Sequence, residues 1–192
     1  LCGFVENSGT MTINGSGGTI VSDKVGLNSI EGVLNVNDAT IKANRIGIYN
    51  KGTELKEAVL KLKNVTFENC GTDVQLGSNG TIDLSEYNGN AITIDIDYNI
   101  NDGKKHRISP RGVSRDDLNK IKFVRNSDKL YRVDLRYDEE GQYIYLAKHV
   151  HKWNYVLDNS DESGKTIKGY CSEEERNNEC DYQDPDTTTA KI

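Results

Sequence analysis

Three groups of residues in this chain have types that could do chemistry. Asp83, Asp95 and Asp97 lie in short alternating segments, and carboxylates clustered on one face can hold Ca²⁺ or divide acid and base work on a polysaccharide. Asp95 and Asp97 share a face with Thr93, opposite Ile92, Ile94 and Ile96. Strand alternation therefore turns them toward solvent, where no obvious group pairs with them. The second group is His149, His151, Cys171 and Cys180. Their types fit a Cys2His2 zinc site, but the long gap between the cysteines departs from zinc-finger spacing. A disulfide joining Cys171 to Cys180, closing a small polar loop in an oxidising compartment, suits the pair better. The third group is cationic and aromatic. Lys104, Lys105, His106, Arg107, Arg111 and Arg115 form the main basic concentration. Such a run either grips an anionic glycan through charge-assisted hydrogen bonds or is a solvated loop. Tyr131, Tyr137, Tyr143 and Tyr145 could add a recognition surface, although strand propensity also accounts for tyrosine there. Gly15-Ser16-Gly17-Gly18 is followed by neither Lys-Ser/Thr nor a helix, so it is a turn and not a phosphate loop.

The elements that must carry these residues repeat along the first half. Thr10-Met11-Thr12-Ile13, Val33-Leu34-Asn35-Val36, Val59-Leu60-Lys61-Leu62 and Thr81-Ile82-Asp83-Leu84 each place apolar residues two apart, the strand period. Behind the first three come Thr19-Ile20-Val21, Ala39-Thr40-Ile41 and Val65-Thr66-Phe67, then Val25-Gly26-Leu27, Ile46-Gly47-Ile48 and Val74-Gln75-Leu76. The fourth continues through Ala91–Ile96 less regularly. The step from Met11 to Leu34 to Leu60 to Ile82 is 23, 26 and 22 residues. Three short strands per step describe one coil of a right-handed parallel β-helix, about four coils in all, with inward side chains stacked in columns. An antiparallel sandwich also has short, evenly spaced strands; the recurring triplets favour the helix. Met11, Leu34, Leu60 and Ile82 form one expected column, and Ile13, Val36, Leu62 and Leu84 the next. Asn37, Asn44, Asn64 and Asn69 fall near corners, where asparagine tolerates left-handed backbone. Cys70 sits amid apolar alternation and is expected as a buried thiol.

From about residue 97 the pattern changes. Ser114, followed by Arg115-Asp116-Asp117-Leu118-Asn119-Lys120, has the cap, acids and terminal lysine of a short helix. Leu130–Tyr137 and Gln142–Leu146 alternate around Asp138-Glu139-Glu140-Gly141, a hairpin with a glycine-bearing loop. Such elements would cap the solenoid's exposed columns. On the first hairpin strand, Tyr131, Val133 and Leu135 take one face and Arg132, Asp134 and Arg136 the other. If the apolar set is buried, Arg132 and Arg136 reach solvent about 13 Å apart. The expected binding residues are therefore Arg132, Arg136, Tyr143, Tyr145, Arg107 and Arg111. Residues 149–192 hold Trp153 and Tyr155 in alternation and a second strand at Thr166–Cys171. So short a segment with so few apolar residues needs a staple. The expected organisation is mostly β: residues 1–148 as β-helix repeats with a helix-plus-hairpin cap, and 149–192 as a small disulfide-stapled β module.

The 192 residues carry a net charge of −6 and only two prolines, with 28% charged residues. An acidic surface without a basic stripe disfavours nucleic acid and anionic lipid as partners. No apolar run approaches the length needed to span a bilayer. The opening Leu1-Cys2-Gly3-Phe4-Val5 is not a signal peptide, and a segment of a longer protein is expected. Cys2 is unassigned.

The coil phrases Ala39-Thr40-Ile41-Lys42-Ala43-Asn44 and Val65-Thr66-Phe67-Glu68-Asn69-Cys70 resemble those of pectate-lyase-like β-helices in surface proteins of Gram-positive gut bacteria. The stretch from Ile94 to Leu146, with Asp116-Asp117-Leu118 and Ile144-Tyr145-Leu146-Ala147-Lys148, resembles the closing element of such helices. His151-Lys152-Trp153-Asn154-Tyr155, Lys165-Thr166-Ile167, Cys171 and Cys180 resemble a small Cys-paired module that follows it. The resemblance implies a secreted or cell-wall-attached multidomain protein, an adhesin-like binder of host protein or glycan that needs no cofactor. Two alternatives remain open: a fragment of a polysaccharide lyase or hydrolase, and a structural stalk.

Overall fold

The computed structural model of the chain describes residues 3–5, 9–100, 105–124, 131–148, 153–158 and 166–171. It divides into two compact units, residues 1–126 with 131–148, and residues 127–130 with 149–192. In the first, parallel strands wind into a β-solenoid of about four turns. The strands are β1 (Gly3–Val5), β2 (Thr10–Asn14), β3 (Thr19–Ser22), β4 (Val25–Ser29), β5 (Gly32–Ala43), β6 (Ile46–Asn50), β7 (Ala58–Glu68), β8 (Thr72–Leu76), β9 (Gly80–Asp83) and β10 (Ile92–Ile96). One sheet runs β2-β5-β7-β9, with β3 also on β5; the other runs β1-β4-β6-β8-β10 and ends on β12 (Ile121–Phe123).

The register of the first sheet stacks Met11, Leu34, Leu60 and Ile82 in one column. Ile13, Val36 and Leu62 form the next. Leu34, Leu60, Ile82, Val36, Leu62 and Leu84 are all buried, so alternation sends every second residue inward as the sequence requires. Met11 differs. At the first coil it remains 38% exposed, because no described coil lies above it. First and second strands also merge. In the middle coils they form single strands of 12 and 11 residues, bent at Asp38 (φ 52°) and Asn64 (φ 50°). Left-handed backbone occurs at Asn64 and Asn69 as expected, but at Asp38 in place of its neighbour Asn37, and not at Asn44. Across the bend, Asn64 Nδ2 donates to Asp38 Oδ1 (2.8 Å), and Asn88 Nδ2 donates to Asn64 Oδ1 (2.6 Å). This amide ladder ties three coils together.

The second sheet stacks Leu27, Ile48, Val74, Ile94 and Phe123. Val74 therefore lies on Ile48, two residues from where matching the triplets end to end would place it. Gly47 is required here, since a Cβ would stand 2.6 Å from the Asp73 carbonyl oxygen. The next column carries a polar step: Ser29 and Asn50 occupy positions that Leu76 and Ile96 fill in later coils. Asn50 is fully buried, and its Nδ2 donates to the carbonyls of Ala58 (2.8 Å) and Thr81 (2.9 Å). It thereby pins the turn leading into the next coil.

A cap closes one end. It comprises β11 (His106–Arg107), α1 (Arg115–Asn119), β13 (Tyr131–Asp138) and β14 (Gly141–Lys148). Ser114 and Asp117 form a capping box on α1. Lys120 Nζ reaches the Leu84 carbonyl (2.8 Å). Ile82 N–H donates to Ile108 O and Ile92 N–H to Lys120 O, while Ile108, Leu118, Ile144 and Leu146 cover the columns. The hairpin pairs Tyr131 with Lys148 through Asp138 with Gly141.

In the second unit, β15 (Trp153–Asp158) and β16 (Thr166–Cys171) pair antiparallel, Trp153 opposite Cys171. Cys180, His149 and His151 lie outside the described residues, and with them the expected disulfide and its zinc alternative; so do Cys2 and Lys104.

Candidate functional site

The hairpin face expected to bind proves largely committed to the cap itself. Strand order β11-β14-β13 brings Arg107, Tyr143, Tyr145, Arg132, Asp134 and Arg136 to one side of the sheet. Tyr143 and Tyr145 are buried, at 8% and 3% exposure, so they are not a recognition surface. The Arg132 side chain is 16% exposed and pairs with the buried Asp134 at 3.1 Å. Arg115, reaching across from α1, holds the other Asp134 oxygen at 3.1 Å. Alternation did turn Val133 and Leu135 toward the core, but α1 and the 105–111 segment overlie the opposite face that the sequence left to solvent. Lys105 sits 4.7 Å from the centre of the Tyr145 ring, and Arg111 5.7 Å from that of Tyr143. Arg111 also clamps Asp138 with two hydrogen bonds (Nε 3.2 Å, Nη2 2.8 Å) and meets Glu140 at 2.8 Å. Its hydrogen bond from Arg111 holds the Asp138 carboxyl below its ordinary value. Arg107 bridges to Glu57 (3.1 Å) and donates to Ser109 O (3.0 Å). Of the six expected binding residues, Arg136 is the one that stands on an exposed strand position without an ion pair among the described residues.

A different surface collects accessible polar groups. On the outside of β2-β5-β7-β9, the residue following each column position is polar: Thr12, Asn35, Lys61 and Asp83 stand in register. A second row holds Asn14, Asn37 and Lys63. Members of both rows, together with Ser85 and Glu86, line a groove of about 230 Å³. The amides lean along the solenoid axis: Asn35 Nδ2 donates to Thr12 Oγ1 (3.1 Å), and Asn37 Nδ2 to Asn14 Oδ1 (3.0 Å). The charges pair between coils, Lys61 with Asp83 at 3.4 Å and Lys63 with Glu86 at 3.0 Å. The Glu86 hydrogen bond raises the Lys63 ammonium above its usual pKa, so Lys63 is a cation throughout the physiological range. The first two coils thus offer neutral donors and acceptors, the third ammonium groups, and the fourth carboxylates.

The structure does not assemble the three acids. Asp83 belongs to the groove, bonded to Lys61 and accepting from Ser85 N (3.0 Å) and Oγ (2.7 Å). Asp95 lies on the other sheet opposite Gln75, and Asp97 accepts from the Tyr49 hydroxyl. Burial and that hydrogen bond push the Tyr49 phenol above its usual pKa. Among the described residues no three His, Cys, Asp or Glu side chains converge as metal ligands. A second recess of about 210 Å³, bordered by Phe67, Asp73, Tyr87 and Asn88, lies at the amide-ladder corner. Burial there raises the Tyr87 phenol to about 12. Cys70 is half-buried and not enclosed as expected; its thiol donates weakly to Ile41 O (3.6 Å), and burial raises its pKa.

Sequence reasoning passed over the groove because its members are ordinary polar residues some two dozen positions apart. The available signal was their common offset, one residue beyond Met11, Leu34, Leu60 and Ile82. No known protein family, curated protein or solved structure matches the chain.

Proposed function

We propose that this chain is a non-catalytic, extracellular glycan-binding segment of a bacterial surface or secreted protein, and that its ligand lies in the groove across β2, β5, β7 and β9. The observation that carries this reading is the register of hydroxyl, amide, ammonium and carboxylate groups on the outside of successive coils. A polyhydroxylated chain presents donors and acceptors in close alternation, and this array meets both kinds without a deep apolar pocket. Adjacent strands are separated by about 4.8 Å, so a ligand along the axis meets a new polar side chain at each coil. The stacking of coils, together with the coil phrases of the sequence, supports placement among pectate-lyase-like surface β-helices. Against the lyase or hydrolase alternative stands the placement of Asp83 on a different sheet from Asp95 and Asp97, with Asp83 engaged by Lys61 and Asp97 by Tyr49.

The test is retention on a glycan array. Lys61→Ala combined with Asn35→Ala is expected to weaken binding of a retained glycan about tenfold, equivalent to ~1.4 kcal/mol, with the circular dichroism spectrum unchanged. Arg136→Ala should leave it unaffected. Loss of binding in Arg136→Ala alone would return the site to the hairpin.

A further inference from the structure

Three asparagine–glycine steps occur in the chain: Asn14-Gly15, Asn79-Gly80 and Asn88-Gly89. Glycine carries no Cβ, so its amide nitrogen can approach the preceding side-chain amide closely enough to attack its carbonyl carbon. The fold treats the three steps differently. Gly15 N–H donates to Asn37 O (2.8 Å), and Asn14 ends β2 with its Oδ1 accepting from Asn37 Nδ2 (3.0 Å). Gly80 is buried at the start of β9 and donates to Gly77 O (3.0 Å), while Asn79 Nδ2 is tied to Thr53 O. Attack at either step therefore needs local opening first. Asn88 and Gly89 are both exposed and stand in no strand or helix. The Gly89 N–H has no hydrogen-bond acceptor among the described residues. One bond holds the Asn88 side chain, from its Nδ2 to Asn64 Oδ1 (2.6 Å).

We propose that Asn88 is a site of spontaneous covalent modification that cuts the amide ladder of the solenoid. The Gly89 nitrogen gives its proton to solvent base and bonds to Asn88 Cγ; the Cγ–Nδ2 bond breaks and ammonia leaves. Water then opens the cyclic imide at one of its two carbonyls, giving aspartate or isoaspartate at position 88. Water is the one co-reactant. Asn88 is the last rung of the ladder in which Asn64 Nδ2 donates to Asp38 Oδ1 and Asn88 Nδ2 donates to Asn64 Oδ1. A carboxylate accepts hydrogen bonds and donates none, so either product loses that rung and sets a negative charge against the Asn64 oxygen. Isoaspartate also lengthens the backbone just before Asn90, whose carbonyl accepts from the Tyr87 hydroxyl (2.9 Å). The fourth coil is then held less firmly to the third at this corner.

Incubation of the intact chain at mildly alkaline pH, followed by peptide mass spectrometry with fragment localisation, tests this. Conversion at Asn88 should run at least about tenfold faster than at Asn14 or Asn79, a barrier difference of ~1.4 kcal/mol. In urea, where no fold distinguishes the three steps, their rates should converge. Asn88→Asp, which carries the aspartate product from the start, should keep the wild-type circular dichroism and unfold at a lower urea concentration. Should that variant fail to fold, the converted fraction of the wild type, separated by ion exchange on its added negative charge, gives the same comparison. Native conversion at Asn14 or Asn79 as fast as at Asn88 would overturn the proposal. So would an Asn88 that stays intact in the folded chain, a preference for Asn88 that persists in urea, or a converted chain as stable as the wild type.

Discussion

Replacing Leu60 with alanine probes the coil register most sharply. Leu60 is fully buried between Leu34 and Ile82, with no route by which solvent could fill the space. The substitution removes three buried carbons, roughly 2.4 kcal/mol at about 0.8 kcal/mol each. The cavity left between two stacked coils cannot collapse without displacing both neighbours, which brings the expected loss to about 3–4 kcal/mol. Lys61, the next residue, points outward beside Asp83, so Lys61→Ala should change stability by no more than about 0.5 kcal/mol. Urea unfolding followed by circular dichroism measures both, with m-values compared to confirm that the native fold is retained. A one-residue slip of the strand would exchange the two faces. Equal losses for the two variants, or a smaller loss for Leu60→Ala, would therefore refute the stacked-column account.

Asn50→Ala should cost about 2–4 kcal/mol in the same assay, since it leaves the Ala58 and Thr81 carbonyls buried without their donor. Ser114→Ala should cost about 1 kcal/mol by removing the α1 cap. It should also reduce acid sensitivity. Burial pushes the Asp117 carboxyl up, but hydrogen bonds from Ser114 and Lys120 outweigh it and hold the carboxyl below its ordinary value. That stabilisation is complete above the unfolded carboxylate pKa of about 3.9 and is lost as pH falls through the lower folded value. A pH titration of stability should show a smaller acid decline in Ser114→Ala than in the wild type. Cys70 should react with iodoacetamide more slowly than free cysteine at pH 8, because its raised pKa keeps it protonated; alkylation followed by mass spectrometry gives the rate.

The solenoid was legible because its signal is redundant. Met11, Leu34, Leu60 and Ile82 recur with the same neighbours, and a column of like residues has one natural stacking. The cap was legible for local reasons, a Ser114 cap with acids behind it and two alternating runs flanking Gly141. Its surface was not. Alternation assigns Arg132 and Asp134 to the face away from Val133, but whether that face meets water depends on where Arg115 and Lys105 arrive, and those contacts link residues far apart in the chain. Asp38 replaced Asn37 at the corner because either residue type suits left-handed backbone, and only the register fixes which one turns. The groove was hidden for the reason that the columns were visible: Thr12, Asn35, Lys61 and Asp83 share a position but not a chemical type.

The most direct test of a binding and non-catalytic role is to incubate the wild-type chain with immobilised mucin-type and polygalacturonate-type glycans. Protein retention and the length distribution of the glycan are then measured together. The account predicts saturable retention, weakened by Lys61→Ala with Asn35→Ala, and glycan chains recovered at their starting length. Progressive shortening of the glycan by the wild-type chain would contradict it.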